Sequence, residues 1–142
     1  MSYSLSFTKS ILVVIFISDK IRQKQFEYLS TADISKYLSI PKPTLVKILQ
    51  NLNQANIIET KEGKNGGIRL MKEPSKITVL EILDAMERGK PLFQTNYNIL
   101  ADAKRPNNAQ KSIKNVLTDA ENQLKNELSK KTIGDILIEM NS

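Results

Sequence analysis

The sequence predicts a mainly α fold with one small β-hairpin, organised as a winged helix-turn-helix plus a long C-terminal dimerisation helix. Three observations carry that prediction. Two short amphipathic segments meet at a proline-marked turn around Ser39-Ile40-Pro41, a glycine-bearing hairpin pattern follows at 57–70, and an apolar stripe from Ile113 to Leu128 crosses an otherwise polar stretch. No internal repeat is present.

The first element, from about Leu5 to Ile21, carries Phe7, Ile11, Leu12, Val14, Ile15 and Ile17. Its apolar residues are too dense and too β-branched for periodicity to decide, and its length favours a mostly buried helix. Ser30 with Asp33 three residues on is a capping pattern, and Ile34, Tyr37 and Leu38 give an i, i+3, i+4 stripe, so a short helix spans about 31–38. Pro41-Lys42-Pro43 then starts a second helix near Pro43, because proline suits a first helical turn and not a helix interior. There Leu45, Ile48, Leu49 and Leu52 form one apolar stripe, with Thr44, Lys47, Gln50, Asn51 and Gln54 toward the other side. Asn56 closes this helix, asparagine being the non-glycine residue that best adopts the left-handed conformation.

Residues 57–61 and 68–70 read as short strands around Glu62-Gly63-Lys64-Asn65-Gly66-Gly67, whose glycines permit positive φ. Thr78 with Glu81 caps a helix over about 79–88 that carries Val79, Ile82, Leu83 and Met86 and ends at Gly89. Residues 90–110 lack periodicity and hold Pro91, Pro106 and Asn107-Asn108, so an irregular connection is expected. From Gln110 to about Leu128, the residues Ile113, Val116, Leu117, Ala120, Leu124 and Leu128 form a helical stripe with little nearby chain to cover it, and a partner subunit is the natural cover. Thr132 with Asp135 opens a last short helix bearing Ile133, Ile136, Leu137 and Met140.

Composition narrows the function classes. Among the 142 residues, 40% are hydrophobic, enough for a real core. The longest apolar run, Ile11 to Ile17, is far short of the roughly 20 residues of a membrane span, so no membrane partner is expected. The N-terminus has no basic n-region, long apolar core or small-residue cleavage site, and a cytoplasmic location follows as an expectation. Cysteine and histidine are both absent, which removes disulfides, thiol nucleophiles, imidazole bases and the commonest zinc, haem and iron–sulfur ligands. No cofactor is expected, and no paired geometry for an enzyme is recognisable among the carboxylates, lysines, serines and tyrosines.

The net charge of +6 is unevenly placed. Residues 1–72 hold 11 Lys/Arg against 5 Asp/Glu, and residues 73–142 hold 10 against 10, so the whole excess is N-terminal. A basic half joined to a neutral half suits a nucleic-acid surface with a separate interaction region, although charge alone signals only non-specific attraction. Helix, tight turn, helix and wing is the order in which a second helix enters the major groove of double-stranded DNA. Pro41, Lys42, Pro43, Thr44 and Lys47 stand at the start of that helix, within reach of base edges or phosphates. At the wing, Lys61, Lys64 and Arg69 offer cations, Asn65 offers hydrogen bonds, and Gly66-Gly67 admits close backbone approach; Lys9 adds a further phosphate contact. The bland alternatives are a solvated helix face and an edge strand protected by lysine. A rival of another class is a winged-helix module that docks a protein partner without reading DNA.

The stretch running from Ser30-Thr31-Ala32-Asp33-Ile34 through Ile40-Pro41, Leu45-Val46-Lys47-Ile48-Leu49, Gly63-Lys64-Asn65-Gly66-Gly67 and Ile77-Thr78-Val79-Leu80-Glu81-Ile82 resembles the Rrf2 family of bacterial regulators. That resemblance implies a homodimer with a long crossing C-terminal helix, a recognition helix starting at Pro41 to Lys47 and a wing at Glu62 to Gly67. Two departures stand out. Glu62 occupies the place where many members carry an arginine that enters the minor groove, and no cysteine stands in 90–110, where cluster-binding members place three. The expectation is therefore a cluster-free homodimeric repressor whose effector, a small molecule or a protein, is left open. Its expected division is 1–89 for DNA binding, 90–110 for the connection or sensor loop, and 111–142 for dimerisation.

Overall fold

The structure, a computed structural model, describes residues 5–22, 28–97 and 103–141. Helix α1 (Leu5–Arg22) turns Ser10, Val13, Val14, Ile17 and Ser18 inward at i, i+3, i+4, i+7, i+8 spacing, so the dense apolar run resolves into a helix with one buried face. Helix α2 (Thr31–Leu38) starts where the Asp33 N–H donates to Ser30 Oγ at 3.0 Å. It ends at Ser39, which takes left-handed φ of 55° while the Ile40 N–H reaches back to Ser35 O.

Helix α3 (Lys42–Gln54) begins behind Pro41 with no capping side chain. Pro43 stands in the first turn, where the N–H it lacks would have had no helical partner. Asn56 has φ of 59° and the Ile57 N–H donates to Leu52 O at 3.0 Å, the six-to-one bond that closes a helix through a left-handed residue. Strands β1 (Ile58–Lys61) and β2 (Gly67–Leu70) pair antiparallel with Ile58 opposite Leu70 and Lys61 opposite Gly67. A single-residue third strand joins them, Leu29 exchanging both backbone hydrogen bonds with Ile68 at 2.9 and 2.7 Å.

A 3-10 turn (Pro74–Lys76) leads to helix α4 (Val79–Glu87), capped as expected by Thr78 accepting from the Glu81 N–H. Its left-handed closure falls on Arg88 (φ 56°) with Gly89 following at 79°. Helix α5 (Lys104–Leu128) begins earlier than the Gln110 start read from sequence and takes in Pro106 and Asn107-Asn108. The reason is positional: Pro106 is the third helical residue, inside the turn whose N–H groups have no intrahelical acceptor. The irregular part of 90–110 is correspondingly shorter.

Helix α6 (Ile133–Met140) carries the full capping box of Thr132 and Asp135. It returns to the N-terminal body: Val79 N–H donates to Lys131 O at 2.9 Å and Ile133 N–H to Ile77 O at 2.8 Å. Ile133 and Leu137 join the core built by α1, α2, α3, α4 and the hairpin, Ile136 packs against its edge, and Met140 is exposed instead of buried. The division at 110/111 thus separates α6 from the core it packs into. Helix α5 contributes no buried residue. It lies on the body through the Leu92 N–H donating to Glu121 Oε1 at 2.5 Å, Gln110 Nε2 donating to Tyr97 O at 2.7 Å, and Lys125 Nζ 4.0 Å from Asp84 on α4.

Candidate nucleic-acid interface

The buried stripe of α3, Leu45, Ile48, Leu49 and Leu52, fixes which way its other face looks. Lys42, Pro43, Val46, Lys47 and Gln50 are exposed on that outer face, and Pro41 precedes them, also exposed. Lys42 and Lys47 make no hydrogen bond or ion pair among the described residues, so both ammonium groups are available to an external anion. Thr44 is half-buried at the edge of this face. Asn51, expected on the outer side, is instead half-buried, its amide 4.0 Å from Met86 Sδ on α4. Val46, 43% exposed in the midst of the polar side chains, was missed by the sequence reading because an aliphatic residue beside a buried stripe looks like more core.

The hairpin is locked to the end of α3. Asn53 Nδ2 donates to Thr60 Oγ1 at 3.2 Å, and the Met71 N–H donates to Ile57 O at 2.9 Å. Its glycines serve this architecture. A Cβ on Gly66 would lie 2.0 Å from Lys61 O, and one on Gly67, already at φ 145°, would lie 2.7 Å from Leu29 O. The close approach inferred from Gly66-Gly67 is therefore to the protein's own backbone, which crosses tightly inside the hairpin and at the third strand.

The cations of the hairpin divide into two kinds. Arg69 pairs across the strands with Glu59, and its guanidinium sits 4.9 Å from the Tyr28 ring centre; Lys61 Nζ is 5.6 Å from the same ring. Tyr28 had no sequence signal, since it reaches the hairpin through the nonlocal pairing of Leu29 with Ile68. Lys64 and Asn65, at the tip, are exposed and make no hydrogen bond or ion pair among the described residues. Lys9, half-buried on α1, stands on a different element from both.

The stripe proposed for dimerisation is largely uncovered within one chain. Ile113 is 56% exposed, Val116 66% and Leu124 39%; Ala120 is exposed, and Leu117 and Leu128 are half-buried. In the expected connection or sensor loop, Phe93 is half-buried and Tyr97 exposed, and residues 98–102 lie outside the described residues. No helix among the described residues is long and apolar enough to cross a membrane.

A family model, Rrf2, described as iron-dependent transcriptional regulator, matches residues 5–139. The chain is 36% identical over 74 residues to the HTH-type transcriptional regulator NsrR of Bacillus licheniformis, covering 52% of this chain and 50% of that protein. The matched stretch thus spans about half the length of that relative. It is 29% identical over 134 residues to NsrR of Shouchella clausii, covering 91% of this chain and 83% of the relative. Among solved structures, T. potens IscR is similar with a TM-score of 0.69 at 16% identity, over 99% of this chain and 88% of that one, a likeness of fold. The family description names iron. Residues 90–110 hold no cysteine or histidine, and the described residues contain no group of three or more His, Cys, Asp or Glu that could hold a metal ion. The residues present do not fit an iron–sulfur cluster, whose irons need thiolate ligands with occasional histidine.

Proposed function

The chain belongs to the Rrf2 family of transcription regulators, and from that premise we propose that it is a cytoplasmic repressor that reads a pseudo-palindromic operator as a homodimer. The observation that carries the reading is the outer face of α3, where Lys42 and Lys47 stand exposed and unpaired over a fully buried apolar stripe. A helix anchored along one side, with polar and cationic groups at its N-terminal end, has the form required to enter a major groove. Lys42, Thr44 and Lys47 meet bases and phosphates, with Val46 against a thymine methyl. Lys64 and Asn65 meet phosphate at the hairpin tip, while Lys61 and Arg69 hold the hairpin's shape through Tyr28 and Glu59. Pro41 and Pro43 set the helix start, Gly66 and Gly67 the hairpin path, and Lys9 adds a peripheral phosphate contact.

The exposed stripe of α5 supports the dimer. Its 25 residues span about 37 Å, comparable with the roughly 34–36 Å between half-sites one helical turn apart. Repression follows from steric exclusion of polymerase by a dimer seated on the operator.

The test is selection of bound fragments from genomic DNA by the purified protein at two salt concentrations, beside the Thr44→Ala/Lys47→Ala variant. Enrichment of one palindrome, lost in the variant, is expected. Uniform salt-sensitive recovery without a motif would favour the protein-docking alternative.

A further inference from the structure

Helix α1 buries two serines on its core side, and they differ in one respect. Ser10 Oγ donates to Ser6 O at 2.7 Å, the usual refuge of a helical hydroxyl, and lies 2.9 Å from Met86 Sδ. Ser18, 3% exposed, has no hydrogen-bond partner for its Oγ. A buried hydroxyl left unsatisfied costs free energy, and none of the described residues pairs with this one.

Ser18 lines a cleft of about 640 Å³ between the C-terminal part of α1, strand β2 and the segment leading into the 3-10 turn. That volume lies within the roughly 300–1,000 Å³ typical of small-molecule sites. Ile21, Leu70, Met71 and Pro74 make its apolar lining. Four charged residues also line it among the described residues: Arg69 is paired with Glu59, Lys72 is paired with Glu81 at 2.5 Å, and Glu73 is exposed outside both pairs. An anionic ligand would find both cations of the described lining already paired, whereas an apolar body would find apolar walls and one hydroxyl at depth.

We propose that this cleft is a binding site for a small uncharged organic molecule, mostly apolar, with one polar group that hydrogen-bonds Ser18. The inference goes beyond DNA binding and does not depend on it. Because Glu59 and Arg69 belong to the two strands of the hairpin, an occupant touches the hairpin's base directly.

The test titrates ¹⁵N-labelled full-length protein with indole, an apolar ring system with a single N–H, and with indole-3-carboxylate as its charged counterpart. Saturable amide shifts centred on residues 18–21 and 69–73 are expected for indole, with indole-3-carboxylate binding no tighter. Ser18→Ala should weaken indole about three- to ten-fold, the share of one neutral hydrogen bond. The same change should raise the melting temperature of the free protein by removing an unsatisfied group. Met71→Trp, at a residue 51% exposed, should also weaken indole by filling the cleft, independently of Ser18. Non-saturable shifts or shifts centred on α5 would overturn the site. A lower melting temperature for Ser18→Ala would show the hydroxyl to be structural, and tighter binding of the carboxylate would refute an uncharged ligand.

Discussion

Replacing Val116 by aspartate separates a dimer surface from an ordinary exposed helix face. Val116 is 66% exposed and stands between Ile113, 56% exposed, and Leu124, 39% exposed. Burying a whole aliphatic side chain is worth about 2 kcal/mol, so covering the open part of Val116 contributes about 1.3 kcal/mol per protomer. A symmetric interface counts it twice, about 2.6 kcal/mol, and the aspartate adds the cost of desolvating a charge. Weakening of the dimer by at least about 100-fold follows. The isolated protomer should scarcely notice, because Val116 touches little within its own chain and valine and aspartate have similar helix propensities, a change within about 0.5 kcal/mol.

Sedimentation velocity over a range of concentrations reads the first effect, and thermal unfolding where both proteins are monomeric reads the second. The expected pattern is a dimeric parent, a monomeric Val116→Asp and nearly equal monomer stabilities. A parent that stays monomeric at high micromolar concentration would refute the argument. So would a variant of unchanged mass with a sharply lowered melting temperature, since that places the stripe inside the protomer.

Three further outcomes are expected. Lys47→Ala should weaken specific DNA binding more than non-specific binding, whereas Lys64→Ala should weaken both and lower the salt slope by about one unit, as read by fluorescence anisotropy at several salt concentrations. Equal losses would contradict the division between helix and wing. Gly66→Ala should cost at least about 2 kcal/mol, because its Cβ would meet Lys61 O at 2.0 Å and the hairpin must open; denaturant unfolding and faster proteolysis near residues 62–67 would register it, and an unchanged midpoint would contradict the close crossing. Asp135 accepts the Thr132 backbone N–H, which holds its carboxyl below the ordinary 3.8. A depressed native pKa contributes stability that is present above the unfolded value and is lost as pH falls through the folded one. The advantage of the parent over Asp135→Asn in melting temperature should therefore be constant near neutrality and shrink below about pH 4; an advantage that widens in acid would exclude the capping role.

The parts of the fold that were legible are those governed by neighbours in sequence. Ser30 with Asp33, Thr78 with Glu81 and Thr132 with Asp135 each place a hydroxyl three residues before the N–H it accepts, and all three form. Asn56, Gly63 and Gly67 take positive φ as their residue types suggest. What escaped depends on chain segments far apart. The bridge of Leu29 to Ile68, the return of α6 onto Ile77 and the packing of Asn51 against Met86 leave no periodic trace. The early start of α5 escaped for a different reason. Pro106 and paired asparagines are loop signals in general, and only the place of Pro106 in a first helical turn makes it harmless.

The same distinction decides what the candidate site can do. Cations and glycines at a wing make Lys61, Arg69, Gly66 and Gly67 look like contacts. The fold engages every one of them internally, through Tyr28, Glu59, Lys61 O and Leu29 O. Lys64 and Asn65 remain at the tip, and Glu62 beside them is an anion. One exposed ammonium and one amide can hold a phosphate but carry little sequence information. On the proposed function, discrimination between operators then falls on α3, where Lys42, Thr44, Val46 and Lys47 stand on a helix that its buried stripe holds in one orientation. Changes of operator preference should accordingly map to residues 42–47, while substitutions at 61–69 should alter affinity or stability and leave the preferred sequence as it was.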